Sequence, residues 1–271
     1  MQGLHNFIPT NRKVDYINAL LKVGFDTIDF GSFVSPKAIP QMADTKEVVT
    51  ELDLLDTKSK LLAIVANERG AKDAVDFDEI TYLGFPFSLS PTFQLRNTRA
   101  TQTEALDRVA RIQELCVSHK KQLVVYLSMA FGNPYGDVWN TEAIEPWVDQ
   151  FNQLGIKILA LADNVGVAEP SSIQTLFSEL IPTYQHIEFG AHFHTRPDDW
   201  KEKISTAYEA GCQRFDSTIQ GIGGCPMAED ELVGNMATEN LLSYVVDHGE
   251  QLNLNTEALK RAQEMASELF M

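Results

Sequence analysis

The segment Ile187-Glu-Phe-Gly-Ala-His-Phe-His194 decides the architecture. Its first five residues, Ile187 to Ala191, read as a short apolar strand, and the segment closes on two histidines separated by one residue. Side chains alternate across a strand, so His192 and His194 would project their imidazoles to the same side. Asp198 to Ala210 then reads as a helix and Arg214 to Asp216 as another short strand. Strand, helix and strand in close succession form the unit from which parallel sheets are built.

Outward from this unit the alternation holds in both directions. Strand-like runs occur at Thr27 to Phe30, Leu61 to Ala66, Ile80 to Gly84, Leu123 to Leu127 and Ile156 to Leu161. Helical stretches separate them: Asn11 to Val23 capped by Thr10, Glu104 to His119, Thr141 to Leu154 and Ser171 to Leu180, with Asn235 to His248 following the last strand. The count is seven strands. A TIM (β/α)₈ barrel needs eight, and the chain opens on a loop and a helix, so the strand lacking would be the first. The rival architecture, an open doubly wound sheet, usually carries Gly-x-Gly-x-x-Gly after an early strand, and none is found. The expectation is an α/β chain with a single barrel domain over residues 1–271.

Composition narrows the function. A formal charge of −16 opposes nucleic-acid binding, which depends on clustered Lys and Arg. No apolar run is long enough to cross a bilayer and no signal-peptide pattern opens the chain, so a cytoplasmic protein is expected. Three cysteines, Cys116, Cys212 and Cys225, do not form a disulfide framework. Cys116 fits an apolar helix face and Cys212 a buried position, whereas Cys225 lies in the glycine-rich run Gly221-Ile-Gly-Gly-Cys-Pro226.

In parallel barrels the chemistry sits where strands end and loops to helices begin. Asp29, Gly31 and Ser32, then Asp163 and Asn164, then His192 and His194, then Ser217 and Thr218 all fall at such ends. Each alone has a plainer reading. Asp163-Asn164 is a turn signal, Cys225 in isolation would be a buried thiol, Ser90 to Asn97 resembles any loop, and Asn235 after Gly234 would cap the last barrel helix. Two imidazoles and an amide oxygen, with open positions, suit a borderline or hard divalent ion better than zinc, because no third strong ligand is evident.

At these residues the sequence resembles the 3-hydroxy-3-methylglutaryl-CoA lyase family over nearly its whole length. The segments that carry the resemblance are Ser32-Phe-Val-Ser-Pro-Lys37, Pro40-Gln-Met-Ala-Asp44, Asp163-Asn-Val-Gly166, His192-Phe-His194, the Asp216 to Pro226 stretch and Gly234-Asn-Met-Ala-Thr-Glu239. It implies a Mg2+ or Mn2+ ion held by His192, His194 and Asn235, with Cys225, His192 and Asp29 as catalytic groups. Gln2, Ser32, Asn97, Asp163 and Asn164 are the implied substrate contacts. The implied reaction is retro-Claisen cleavage of an acyl-CoA, 3-hydroxy-3-methylglutaryl-CoA, to acetyl-CoA and acetoacetate; a homodimer is the expected assembly.

Several positions depart from the family pattern. Asp29 stands where glutamate is usual, Asn164 replaces a threonine, Asn133 a cysteine, and Thr195-Arg196 an Asp-Thr pair. The family also opens with a strand ending in Arg-Asp shortly before the glutamine matched by Gln2, and the Asp is a metal ligand. The expectation is therefore a natural chain that extends upstream of Met1, the other reading being a truncated relative with an open barrel edge. A related acyl-CoA aldolase or synthase, and a catalytically silent barrel that binds a partner, are the competing functions.

Overall fold

Among the described residues seven strands, all parallel and each paired with its sequence neighbour, make one sheet in the order β1 to β7. They are β1 Thr27–Ser32, β2 Lys60–Ile64, β3 Ile80–Ser88, β4 Gln122–Ser128, β5 Ile158–Asp163, β6 Glu188–Phe193 and β7 Arg214–Asp216. Among the described residues ten α-helices accompany them: α1 Thr10–Leu21, α2 Thr45–Glu51, α3 Glu68–Val75, α4 Pro91–Thr98, α5 Gln102–Ser118, α6 Glu145–Gln153, α7 Pro170–Thr183, α8 Trp200–Glu209, α9 Thr238–Asp247 and α10 Thr256–Phe270. The structure, a computed structural model, describes residues 1, 4, 6–224 and 233–270. Among these the sheet curls into a partial barrel of seven strands, with β1 and β7 as its edges, in place of a closed ring of eight.

Alternation along the strands divides the side chains into two sets. Leu61, Ala63, Leu83, Phe85, Phe87, Leu123, Val125, Leu127, Leu159, Leu161, Phe189 and Ala191 join the helices in the main core. Leu62, Tyr82, Val124 and Ile158, with Ile64 and Tyr126, form a separate cluster on the concave face. Gly84 makes room on that inner face, since a Cβ there would lie 2.6 Å from Ile64 Cδ1 and 2.9 Å from Tyr126 Cε2. Apolar residues on both faces are what a covered parallel sheet requires.

Helix α10 spans the outside of the seam between the two edges. It packs on α1 and on the 3₁₀ turn Ile219–Gly221, burying Met265 and Ala266 against Tyr16 and Ile219. Phe270 meets the edge of Tyr16 with ring centroids 5.2 Å apart.

Element bounds differ from the sequence reading in instructive ways. Thr10 does not cap α1; Pro9 holds the cap position and the Thr10 hydroxyl donates to Asp44 Oδ2 at 2.8 Å. Strand β3 runs through Pro86 to Ser88, although proline lacks an N–H. Pairing with β2 stops at Gly84, so the Pro86 nitrogen points where no ladder partner exists. Ser90 to Asn97 is not a loop: Ser90 accepts from Phe93 N at 3.0 Å and Pro91 begins α4. Helix α9 starts at Thr238 with Ala237 at its cap, so Asn235 does not cap it.

One close approach fixes the loop after β1. A Cβ on Gly70 of α3 would lie 2.3 Å from the Phe33 carbonyl oxygen, a backbone atom that cannot swing aside. Gly70→Ala is expected to cost about 1–3 kcal/mol, read as a lower urea midpoint with an unchanged slope.

Candidate active site at the carboxyl ends of the strands

On β1, β6 and β7 the residues flanking Asp29, His192 and Asp216 belong to the main core: Ile28 and Phe30, Ala191 and Phe193, with Phe215 packed against it. By alternation Asp29, His192 and Asp216 share the concave face. The β6–β7 register sets His192 opposite Asp216, and His192 Nδ1 lies 3.1 Å from Asp216 Oδ2. Tyr126 meets the His192 ring edge-on at 5.7 Å between centroids.

His194 lies just beyond β6, its ring centroid 5.8 Å from that of His192. An isolated antiparallel bridge pairs His194 with Asn235. His194 Nδ1 is 2.9 Å from the Val233 carbonyl oxygen, and Thr195 N donates to Gly234 O at 2.9 Å. A carbonyl only accepts, so His194 Nδ1 carries the hydrogen and Nε2 keeps its lone pair; the Asp216 carboxylate does the same for His192. Asn235 Nδ2 donates to Ile222 O at 3.4 Å, so Oδ1 is the atom of this amide suited to a cation.

Among the described residues no group of three His, Cys, Asp or Glu side chains is set to hold a metal. The donors brought together are two imidazoles and one amide. This set fits a divalent ion: both rings are held by their Nδ1 side, and each presents an unprotonated nitrogen when the ion replaces its proton. Two buried hydroxyls at strand ends, Ser32 Oγ and Thr218 Oγ1, have no hydrogen-bond partner among the described residues, as a site awaiting a polar ligand would.

The acidic groups shape the titration of this face. Burial pulls the His192 pKa down, but the hydrogen bond and charge of Asp216, with Asp29 and Asp163, outweigh it and hold the pKa above its ordinary value. His194 is driven down to about 4, by burial first and then by the His192 charge. Asp29 is pushed up to about 7 by burial and then by Asp216, against the pull of His192. Water reaches Asp29 in the open interior, which weakens the burial contribution and leaves the neighbouring Asp216 charge as the firmer cause.

A raised His192 pKa stabilises the metal-free fold fully below 6.5, the ordinary histidine value, and that stabilisation is lost as pH rises through the folded value. Asp216→Asn is expected to lower the His192 pKa and flatten this dependence. Imidazole proton shifts followed against pH in metal-free protein would reveal it, and an unmoved His192 titration would count against the pairing.

The other expected residues fall as follows. Asp163 ends β5 and is buried, with Oδ1 accepting from Val167 N at 2.8 Å and Oδ2 from Ala168 N at 3.0 Å and Lys203 Nζ at 2.9 Å. Its neighbours in the strand place it on the helix side, so it anchors the following turn where a substrate contact was expected. Asn164 Oδ1 accepts from Met129 N at 3.0 Å and braces the end of β4. Ser32 ends β1, buried; Asn97 is half-buried on α4. Gln2 and Cys225 lie outside the described residues.

Sequence reasoning assigned no role to Asp216, Tyr126 or Lys203. Asp216 was visible as an acid ending a strand, but its pairing with His192 depends on lateral register. Lys203 carries a faint signal, since it falls on the same helix face as buried Ala207 and four residues after Asp199.

Fold and site together define an α/β enzyme-type barrel whose polar groups gather at the carboxyl ends of parallel strands. The chain belongs to the HMGL-like family, whose model matches residues 1–266. It is 28% identical to the Bacillus subtilis hydroxymethylglutaryl-CoA lyase YngG over 98% of this chain and 89% of that protein. It is also 28% identical to the Pseudomonas aeruginosa 3-hydroxy-3-isohexenylglutaryl-CoA/hydroxy-methylglutaryl-CoA lyase, covering 85% of this chain and 76% of that one. Among solved structures, an HMG-CoA lyase from Acinetobacter baumannii in complex with coenzyme A and 3-methylmalate superposes with a TM-score of 0.91 at 30% identity, covering 99% and 87% of the two chains.

Proposed function

We propose that this chain cleaves 3-hydroxy-3-methylglutaryl-CoA to acetyl-CoA and acetoacetate, using Mg2+ or Mn2+. The observation that carries the reading is the convergence of His192, His194 and Asn235 at one end of the sheet, with both imidazoles held through Nδ1. His192 and His194 Nε2 and Asn235 Oδ1 would hold the ion, which when bound lowers the pKa of the substrate alcohol and fixes its orientation.

Balance of the reaction sets what the residues must do. The tertiary hydroxyl loses its proton, the adjacent carbon–carbon bond breaks, a ketone forms, and the thioester fragment accepts a proton to become acetyl-CoA. Asp29, a carboxyl on the concave face beside Asp216 and His192, is suited by position to relay the first proton. Cys225 is proposed for the second, from the glycine-rich stretch that begins beside Asn235, where Gly221 and Gly223 have φ of 65° and 105°. The CoA-bound relative supports a thioester substrate, and the relative named for two acyl groups makes the size of the acyl pocket the open variable. A homodimer remains part of the proposal.

Incubation with 3-hydroxy-3-methylglutaryl-CoA and Mn2+, followed by quantitation of acetoacetate, tests the reading. Turnover that vanishes with EDTA and returns with Mn2+ is expected. A folded sample inert at millimolar Mn2+ would sink the lyase assignment and favour a silent barrel.

A further inference from the structure

We propose that Lys203 is a positioning residue for the metal site, an inference that rests on the metal-binding reading above. Its ammonium group is buried in the first turn of α8, where the helix dipole disfavours a cation. Burial of a lysine at that place needs full compensation, and three acceptors supply it. Lys203 Nζ donates to Asp163 Oδ2 at 2.9 Å and to the His194 carbonyl oxygen at 3.0 Å, and lies 3.3 Å from Asp199 Oδ2.

Those acceptors belong to different parts of the site. Asp163 gathers the turn after β5 through Val167 N and Ala168 N, and its own carbonyl accepts from His194 N at 3.2 Å. His194 is thus gripped at its N–H by β5, at its carbonyl by Lys203 and at its ring by Val233. Thr195 N on Gly234 O extends the grip to the segment carrying Asn235. Lys203 ties the turn after β5 to the backbone of His194, and so fixes where the His194 Nε2 and Asn235 Oδ1 donors stand. A lysine at this position therefore acts on metal affinity without touching the metal.

The test measures Mn2+ affinity by calorimetry on the full chain, with melting temperature as the control for folding. Lys203→Met is expected to weaken Mn2+ binding by about 10–100-fold, as loss of support behind a ligand does, and Lys203→Arg to recover part of it. Because Lys203→Met strands the Asp163 carboxylate, the pair Lys203→Met/Asp163→Asn removes the buried charge and keeps the question open to measurement. Weak Mn2+ binding by this double variant at a melting temperature near that of the parent supports the positioning role. Parent-like affinity in the double variant overturns it while leaving the metal site standing, whereas a parent that binds no Mn2+ overturns both.

Discussion

Replacing His194 by alanine is expected to abolish Mn2+-dependent cleavage and to weaken Mn2+ binding by more than about 100-fold, beyond the loss seen when only the support of a ligand is removed. The side chain is 2% exposed and its Nδ1 is fixed by the Val233 carbonyl, so the donor it would offer is held in one place. His192→Ala should act in the same direction, but His192 is half-buried and also balances the charge of Asp216 and Asp29, so that its loss perturbs the acidic pair as well. Calorimetric titration of the metal-free variants with Mn2+, beside steady-state turnover, checks this. His194→Ala protein that binds Mn2+ as the parent does would remove His194 from the site.

The largest effect on stability is expected at Lys13. Its side chain is 2% exposed and its Nζ lies 2.6 Å from Asp44 Oδ1, with the Gln41 carbonyl as a further acceptor and the Phe7 ring 4.1 Å away. Asp44 Oδ2 accepts from the Thr10 hydroxyl, while Gln41 holds the chain entering α1 through Ile8 N and Asn6 O. The cluster clamps the 33–44 loop to α1. Lys13→Met leaves a carboxylate buried without its cation, which costs about 3–5 kcal/mol and lowers the melting temperature by roughly 10 °C in a chain of this size. Chemical denaturation would show it as a shifted midpoint, and a loss below about 1 kcal/mol would mean that the pair is effectively solvent-screened. Lys13→Met/Asp44→Asn should regain part of the loss.

Period and punctuation made the parallel architecture legible. Each of the seven strands begins within three residues of its expected position, because apolar runs between amphipathic helices leave little choice. The common side of His192 and His194 followed from the two-residue period alone. Asp163 was different: β5 is buried on both faces, so its pattern of hydrophobicity does not reveal which face a terminal acid takes. The structure turns it toward Lys203. Likewise, no property of a single segment encodes that His192 lies opposite Asp216, since the register between neighbouring parallel strands is a tertiary choice. Ser90-Pro91 was legible as a helix start and was passed over because the polar residues after it resemble a loop.

The concave face carries Asp29, Asp216 and His192 within mutual electrostatic reach, and each shifts the titration of another. A divalent cation would relieve that concentration of charge, which links the open interior to the proposed chemistry. Anomalous diffraction from crystals of this chain grown with Mn2+ tests the central claim most directly. The account predicts one Mn2+ within about 2.3 Å of His192 Nε2, His194 Nε2 and Asn235 Oδ1, and a Mn2+ ion bound elsewhere with those three atoms unligated would contradict it.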